Sequence, residues 1–198
     1  MSSRETVEKI AQHLCLDLSD REIRLVLEIV NRTGDYAPRD EIIRLFQGDE
    51  LPPAVLTFFL PQIWNLKQDG CTVPNDVWRS MFQQCLFTTD RKVTRKPRRI
   101  MRAYRGATAE NRDGLAWSLD AEQARYFARS RQAPGSRAQV WATNIPPNRV
   151  YAHFMDGWEQ EITADVRGLT IVPIEKEFSL PRVVTWPWNL PKRPLKCL

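Results

Sequence analysis

Glycine is scarce in this chain. Only eight glycines occur among 198 residues, and the closest two, Gly106 and Gly114, are eight positions apart. That spacing excludes both the G-x-G-x-x-G fingerprint of dinucleotide-binding folds and the G-x-x-x-x-G-K-[ST] loop that cradles phosphates. Any nucleotide chemistry must therefore use another phosphate-binding arrangement.

Histidine and cysteine are also scarce. The two histidines, His13 and His153, lie far apart and outside any recognisable nucleophile motif, which excludes H-E-x-x-H zinc sites and iron centres with several histidines. None of the four cysteines forms a C-x-x-C pair, so the sequence predicts neither a zinc site nor a disulfide framework. We expect a protein without a bound metal.

Long apolar runs are absent as well. No run approaches ~18 residues, the length of a membrane-spanning helix, and the first residues lack the apolar stretch of a signal peptide. Hydrophobic residues nevertheless make up 42% of the chain, enough to bury a real core, and the 27% of charged residues is an ordinary share for a globular protein. We therefore expect a soluble cytoplasmic protein with no membrane partner.

Charge is divided unevenly along the chain. Residues 1–90 carry 9 basic and 14 acidic side chains, whereas residues 91–198 carry 20 and 10, so the overall charge of +5 conceals two halves of opposite sign. This asymmetry predicts two units with different partners. Residues 91–99, with six basic side chains, lie between them and predict a solvated linker. A nucleic-acid contact or a cover for the acidic half is the alternative.

Helical periodicity runs through residues 1–90 and predicts an all-α unit. Ser19 and Glu22 form an S-x-x-E capping box at the start of one helix, and Gly34 marks its end. Pro61 is expected to kink or split a later helix. The apolar stripes of these segments are typical of a core, and no polar cluster here suggests chemistry. The other predicted helices cover residues 5–16, 38–48, 52–70 and 74–85.

Strand periodicity replaces helical periodicity after residue 100. Asp120 and Gln123 form a D-x-x-Q cap for the single helix expected in this half. Residues 178–198, rich in proline and tryptophan, predict an irregular strap across the surface. The predicted strands cover residues 100–105, 115–119, 139–145, 158–166 and 169–174.

The first of three short motifs is Tyr104-Arg105-Gly106, at the end of a predicted strand. The glycine leaves room beside the arginine, and a guanidinium at this place can make a two-pronged contact with phosphate oxygens. The alternative is a strand-end arginine whose side chain reaches into solvent.

The second motif, W-S-L at residues 117–119, precedes the predicted helix. Because Asp120 already supplies the helix cap, the Ser118 hydroxyl is available to orient a neighbouring carboxylate or a sugar hydroxyl. An ordinary turn serine is the alternative.

The third motif is a pair of acids, Glu159 and Glu161, in a predicted strand. Side chains two positions apart in a strand share a face and lie roughly 7 Å apart, so these like charges repel each other. One carboxylate could stabilise an oxocarbenium-like sugar while the other receives a proton from an acceptor. A solvated edge strand is the alternative.

The three motifs, taken in this order, resemble those of the arginine-serine-glutamate class of mono-ADP-ribosyltransferases, which includes cholera-toxin-like and clostridial enzymes. They are Y-R-G, x-S-x before a helix, and E-x-E-[IV]. The resemblance covers residues 100–175, and the chain is similar to the compact bacterial and phage members. It implies an α+β chain in which residues 100–177 form a split, mostly antiparallel β domain that binds NAD without a Rossmann fingerprint. It also implies an enzyme that cleaves NAD, its substrate, at the nicotinamide–ribose bond and transfers ADP-ribose to a protein, with arginine as the expected acceptor.

The resemblance also assigns roles to single residues. Glu161 would bind the nicotinamide-ribose hydroxyl and stabilise the cation, and Ser118 would position that carboxylate. Glu159 would activate the acceptor, with Trp158 beside it for acceptor recognition. The residues implied in binding NAD are Arg105, for its phosphates and ribose, with Tyr104, Gly106, Trp117, Ser118 and Phe127.

Some features of the chain fall outside this pattern. The middle motif is W-S-L where the family often has S-T-S, and only thirteen positions separate Arg105 from Ser118. The resemblance does not reach residues 1–90, which we interpret as a unit for target selection or docking. Two other functions remain open: an NAD glycohydrolase that passes ADP-ribose to water, and a non-enzymatic module whose basic half binds nucleic acid by neutralising phosphates.

Overall fold

The computed structural model describes residues 2–65, 73–130, 137–155 and 160–174. Over these residues the chain is α+β, as the sequence predicts, with six α-helices and a mostly antiparallel sheet of eight strands. The helices are α1 (Ser3–His13), α2 (Asp20–Thr33), α3 (Arg39–Gln47), α4 (Pro53–Asn65), α5 (Asn75–Gln84) and α6 (Ala121–Ser130). The strands are β1 (Thr88–Thr89), β2 (Lys92–Val93), β3 (Met101–Ala107), β4 (Ala116–Ser118), β5 (Gln139–Ile145), β6 (Val150–Phe154), β7 (Glu161–Ala164) and β8 (Val172–Pro173).

The N-terminal helices begin where the sequence supplies caps. At α2 the Ser19 hydroxyl accepts a hydrogen bond from the backbone of Glu22, whose carboxylate accepts from the backbone of Ser19. Gly34 ends α2 with a φ of 67°, which disfavours any residue that carries a Cβ. Helix α1 begins earlier than predicted because Ser2 and Glu5 form an equivalent capping box.

Helix α4 is the centre of the helical half. Residues 55–61 are all buried, as expected for an apolar helix that other helices surround. Pro61 lies inside α4, which continues through it as one helix. The predicted extension over residues 66–70 lies outside the described residues.

The sheet has the strand order β2-β1-β6-β7-β4-β3-β5-β8, and β1 pairs with β6 in parallel. Strand β6 is absent from the sequence prediction because all five of its side chains are buried, which removes the alternation that reveals a strand. Part of the predicted linker also enters the sheet. Asp90 and Arg91 take φ values of 48° and 69°, the conformation of a two-residue hairpin turn, and bring β2 back onto β1.

The other predicted strands agree with the structure to different degrees. Strand β5 has the predicted bounds, and β3 continues two residues beyond its predicted end to Ala107. The strand predicted over residues 158–166 is described from residue 160 onward, and β7 occupies its middle. The strand predicted over residues 169–174 shortens to β8, which ends at a proline that cannot donate to a ladder. The predicted strap, residues 178–198, lies outside the described residues.

The helical half shares a hydrophobic core with part of the sheet. The buried cluster formed by the apolar side chains of α1 to α5 also contains Leu115, Tyr151, Ala152 and Phe154. The helices therefore cover the part of the sheet that contains β6 and its neighbours.

Helix α6 covers the part of the sheet that contains β3 and β5. At Gly106 in β3, an added Cβ would overlap the backbone of Ala124 and Ala128 in α6. The glycine thus allows the helix to approach the strand closely.

One buried carboxylate connects the helical half to the end of β7. Asp165 is 2% exposed and accepts hydrogen bonds from Arg167 at 2.9 and 3.0 Å and from Arg149 at 3.2 Å. Arg79 of α5 completes the cluster, with its Nε atom 3.4 Å from an Asp165 carboxylate oxygen. Burial alone would raise the pKa of Asp165, but the hydrogen bonds from Arg167 and the charge of Arg79 outweigh it and lower the pKa.

Candidate active site

The three motif-bearing strands lie side by side in the sheet. Strand β4 pairs with β3 on one edge and with β7 on the other, and the register places Ser118 opposite both Tyr104 and Glu161. Residues directly opposite each other in antiparallel strands point to the same face. Tyr104, Ser118 and Glu161 therefore form one row across one face of the sheet, although they are spread over 58 positions of the sequence.

Ser118 is held by the start of α6. Its hydroxyl donates to the Gln123 side-chain oxygen at 2.8 Å and accepts from the backbone N–H of Asp120 at 3.0 Å. The same Gln123 oxygen accepts from the backbone N–H of Gln160 at 3.1 Å. Ser118 is thus connected to the residue before Glu161 through Gln123, which explains how a single serine in this motif can help to place the β7 backbone.

Glu161 is the first residue of β7, and its carboxylate contacts the helical half. Its Oε1 atom accepts a hydrogen bond of 2.7 Å from Nε1 of Trp64 in α4. Trp64 is 4% exposed, and the sequence indicates only a core side chain at that position. A buried indole N–H usually needs a hydrogen-bond acceptor, and this rule predicts a polar partner for Trp64. The sequence does not show which residue supplies that acceptor.

Arg105 lies on the other face of the sheet. Gly106 faces α6, and since successive strand residues alternate, the Arg105 side chain points away from the Ser118 row. Its guanidinium donates to the carbonyl oxygens of Asn111 at 3.0 Å and Ala116 at 2.6 Å. A Cβ at Gly114 would overlap this guanidinium, so that glycine makes room for it. Arg105 thus holds the segment between β3 and β4 instead of reaching into solvent.

The remaining residues with a predicted NAD role occupy different surroundings. Trp117 is 1% exposed and donates from its indole N–H to the carbonyl of Gly114 at 2.7 Å, so it is part of the core. Tyr104 is half-buried and packs against the apolar cluster beneath α6, with the Arg102 guanidinium 5.8 Å from its ring centre. Phe127 lies on α6 in edge contact with the exposed ring of Tyr126.

Glu159 and Trp158 lie in residues 156–159, outside the described part of the chain. The predicted separation of the two carboxylates stays a prediction. The arrangement that can be described is one row with Ser118 and Glu161 adjacent, bordered by Gln123 on one side and Trp64 on the other.

The described residues contain neither a metal-binding cluster nor a membrane-spanning helix. Within the described residues there is no group of three or more histidine, cysteine, aspartate or glutamate side chains that could hold a metal ion. No helix in that part of the chain is long and apolar enough to cross a membrane. No protein-family model, curated protein or solved structure matches this chain.

Proposed function

We propose that this chain is a mono-ADP-ribosyltransferase that cleaves NAD and transfers ADP-ribose to a protein acceptor. The observation that supports the proposal is the single row of Tyr104, Ser118 and Glu161, which joins three motifs that are distant in the sequence.

The proposed chemistry begins at the bond between nicotinamide and ribose. As this bond breaks, its electron pair leaves with nicotinamide and the ribose acquires oxocarbenium character. A carboxylate fixed nearby stabilises that positive charge, which is the role that we assign to Glu161. An acceptor nitrogen then forms the new bond to the ribose and gives up a proton, for which Glu159 is the proposed base.

The other residues with a predicted NAD role differ in how far their contacts support it. Arg105 already donates to two backbone carbonyls and faces away from the row, so these contacts do not support a role in binding NAD phosphates. Tyr104 lies on the same face as Glu161, with its ring half-buried against the apolar cluster beneath α6. We therefore centre the proposed site on Tyr104, Ser118 and Glu161.

The test is an assay of the full chain with labelled NAD and a cell lysate. We expect nicotinamide release and label on a protein. In Glu161→Gln, which keeps the shape but removes the charge, both signals should fall by on the order of 10²-fold or more. Free labelled ADP-ribose alone would identify a glycohydrolase instead, and neither product would contradict an NAD enzyme and favour the nucleic-acid-binding module.

The second acid gives a finer test in the same assay. Because bond cleavage needs only Glu161 while capture by an arginine also needs a base, Glu159→Gln should lose transfer steeply and keep part of its NAD hydrolysis. Equal loss of both activities would spare the proposed NAD site but remove the reason for an arginine acceptor. Circular dichroism of each variant checks that the fold is retained.

A further inference from the structure

One hydrogen bond joins the helical half to the proposed catalytic carboxylate. Nε1 of Trp64, at the end of α4, lies 2.7 Å from Oε1 of Glu161, and the two residues are 97 positions apart. This distance is at the short end of the range for N–H···O hydrogen bonds, as expected when the acceptor is a carboxylate. The contact is therefore a directional link between the two halves of the chain.

The indole that makes this contact is itself firmly held. Its ring makes edge contacts with Trp78, at 5.3 Å between centres, and with Phe82, at 5.1 Å. Phe82 in turn stacks on Tyr151 of β6, the strand next to β7, with only 6° between the ring planes. Trp64 is thus packed between α5 and the sheet. This packing fixes the direction of its N–H group independently of any substrate.

A glutamate side chain has three rotatable bonds and stays in one orientation only if its partners hold it. Catalysis by a carboxylate depends on such preorganisation, because the group must already face the charge that develops. We propose that Trp64 is a positioning residue for Glu161, so that the helical half is a working part of the active site and not only a docking unit. This inference rests on the proposed function.

The chain supplies a matched control in Trp78. This second tryptophan belongs to the same aromatic cluster and is fully buried, but its indole N–H has no hydrogen-bond partner among the described residues. Changing either tryptophan to phenylalanine removes a similar apolar surface. Only Trp64→Phe also removes a donor to Glu161.

The experiment compares nicotinamide release by the full-length wild type, Trp64→Phe and Trp78→Phe, with urea unfolding of each. We expect the urea midpoint to fall further in Trp64→Phe, which also loses a hydrogen bond to a carboxylate, than in Trp78→Phe. In Trp64→Phe alone, kcat should fall by about 10- to 100-fold, as for a displaced reacting group, while KM for NAD changes less. Replacement of Trp64 by 3-benzothienylalanine, which keeps the bicyclic shape but has sulfur in place of N–H, should reproduce the fall in kcat.

The possible failures can be told apart. If the wild type cleaves NAD and kcat of Trp64→Phe matches that of Trp78→Phe, the positioning role is wrong and the proposed function stands. If the wild type releases no nicotinamide, the proposed function fails and the catalytic role of Trp64 fails with it. A double-mutant cycle in unfolding free energies, with Trp64→Phe and Glu161→Ala, measures the contact without any activity, and additive free-energy changes would refute it.

Discussion

Arg105 has one role by resemblance and another by its observed contacts. The resemblance implies a contact with NAD phosphates, whereas the guanidinium donates to the carbonyls of Asn111 and Ala116. Lysine keeps the charge but carries all its donors on one nitrogen, whereas Nε and Nη1 of Arg105 each reach a different carbonyl. The two roles therefore predict different consequences of the same substitution.

We expect Arg105→Lys to lower the free energy of unfolding by about 1–2 kcal/mol, since at least one carbonyl loses its partner. Arg102→Lys is the control, because Arg102 lies on the same strand and its one hydrogen bond within the described residues is long, 3.4 Å to Asn144. Its contact with the Tyr104 ring is one that a lysine ammonium can also make. Urea unfolding measures the stability of both variants, and KM for NAD reports any phosphate contact. Unchanged stability in Arg105→Lys would refute the anchoring role, and a raised KM in a stable variant would restore the role in NAD binding.

Sequence reasoning could identify Ser118 and Glu161 but not the side chains around them. The order of the motifs needs no knowledge of register, so these two residues could be named from local patterns. The partners Gln123 and Trp64 become neighbours only through the packing of α6 and α4 on the sheet. No local rule predicts a contact between residues 97 positions apart.

At the scale of the elements, the contact between β3 and α6 depends on one glycine. Gly106→Ala places a Cβ against the backbone of Ala124 and Ala128, and backbone cannot move aside as a flexible side chain can. We expect a loss of about 1–3 kcal/mol in unfolding free energy, the usual effect of overpacking a close contact.

Gly48→Ala is the matched control for Gly106→Ala. A Cβ at Gly48 meets only the side chain of Glu50, which can rotate away, and the φ of −82° suits any residue. Thermal unfolding of both variants checks the prediction. A Gly106→Ala protein as stable as Gly48→Ala would mean that α6 can shift outward without loss.

Prediction of elements succeeded where the signal is local and failed where it is tertiary. The cap at Ser19 and the stop at Gly34 define α2 from a few neighbouring residues, and β5 shows the expected strand composition. Strand β6 is buried throughout, so its pattern does not alternate. Strands β1 and β2 have two residues each and exist only because β6 and a tight turn give them partners.

At the scale of the whole molecule, Asp165 forms ion pairs with side chains from both halves of the chain. It faces Arg79 from α5 and Arg149 and Arg167 from the second half of the chain. Without this carboxylate, three guanidinium groups lose their shared ion-pair partner. The loss of one partner from a buried ionic cluster typically costs about 3–5 kcal/mol. We expect a loss of this size in Asp165→Asn by urea unfolding.

The lowered pKa of Asp165 also predicts a pH dependence. Because the folded state holds this carboxyl below its ordinary pKa, its contribution to stability is complete above about pH 4 and disappears as the pH falls through the folded pKa. In Asp165→Asn, that part of the acid-induced loss of unfolding free energy should be missing. The control is Asp76→Asn, which removes an exposed partner of Arg79 and should change stability by less than about 1 kcal/mol. An unchanged acid limb in Asp165→Asn would contradict the assignment.

The long sequence separation between Trp64 and Glu161 has a consequence while the protein is being synthesised. On the ribosome the helical half emerges first, while its indole still lacks the carboxylate that it will hold. The pairing of Thr88 with Ala152 likewise waits for a late segment of the chain, and closing such long loops is slow. In the proposed transferase, partly synthesised chains therefore lack a held carboxylate, and cleavage of NAD begins only after the segment that carries Glu161 has emerged and paired with the helical half.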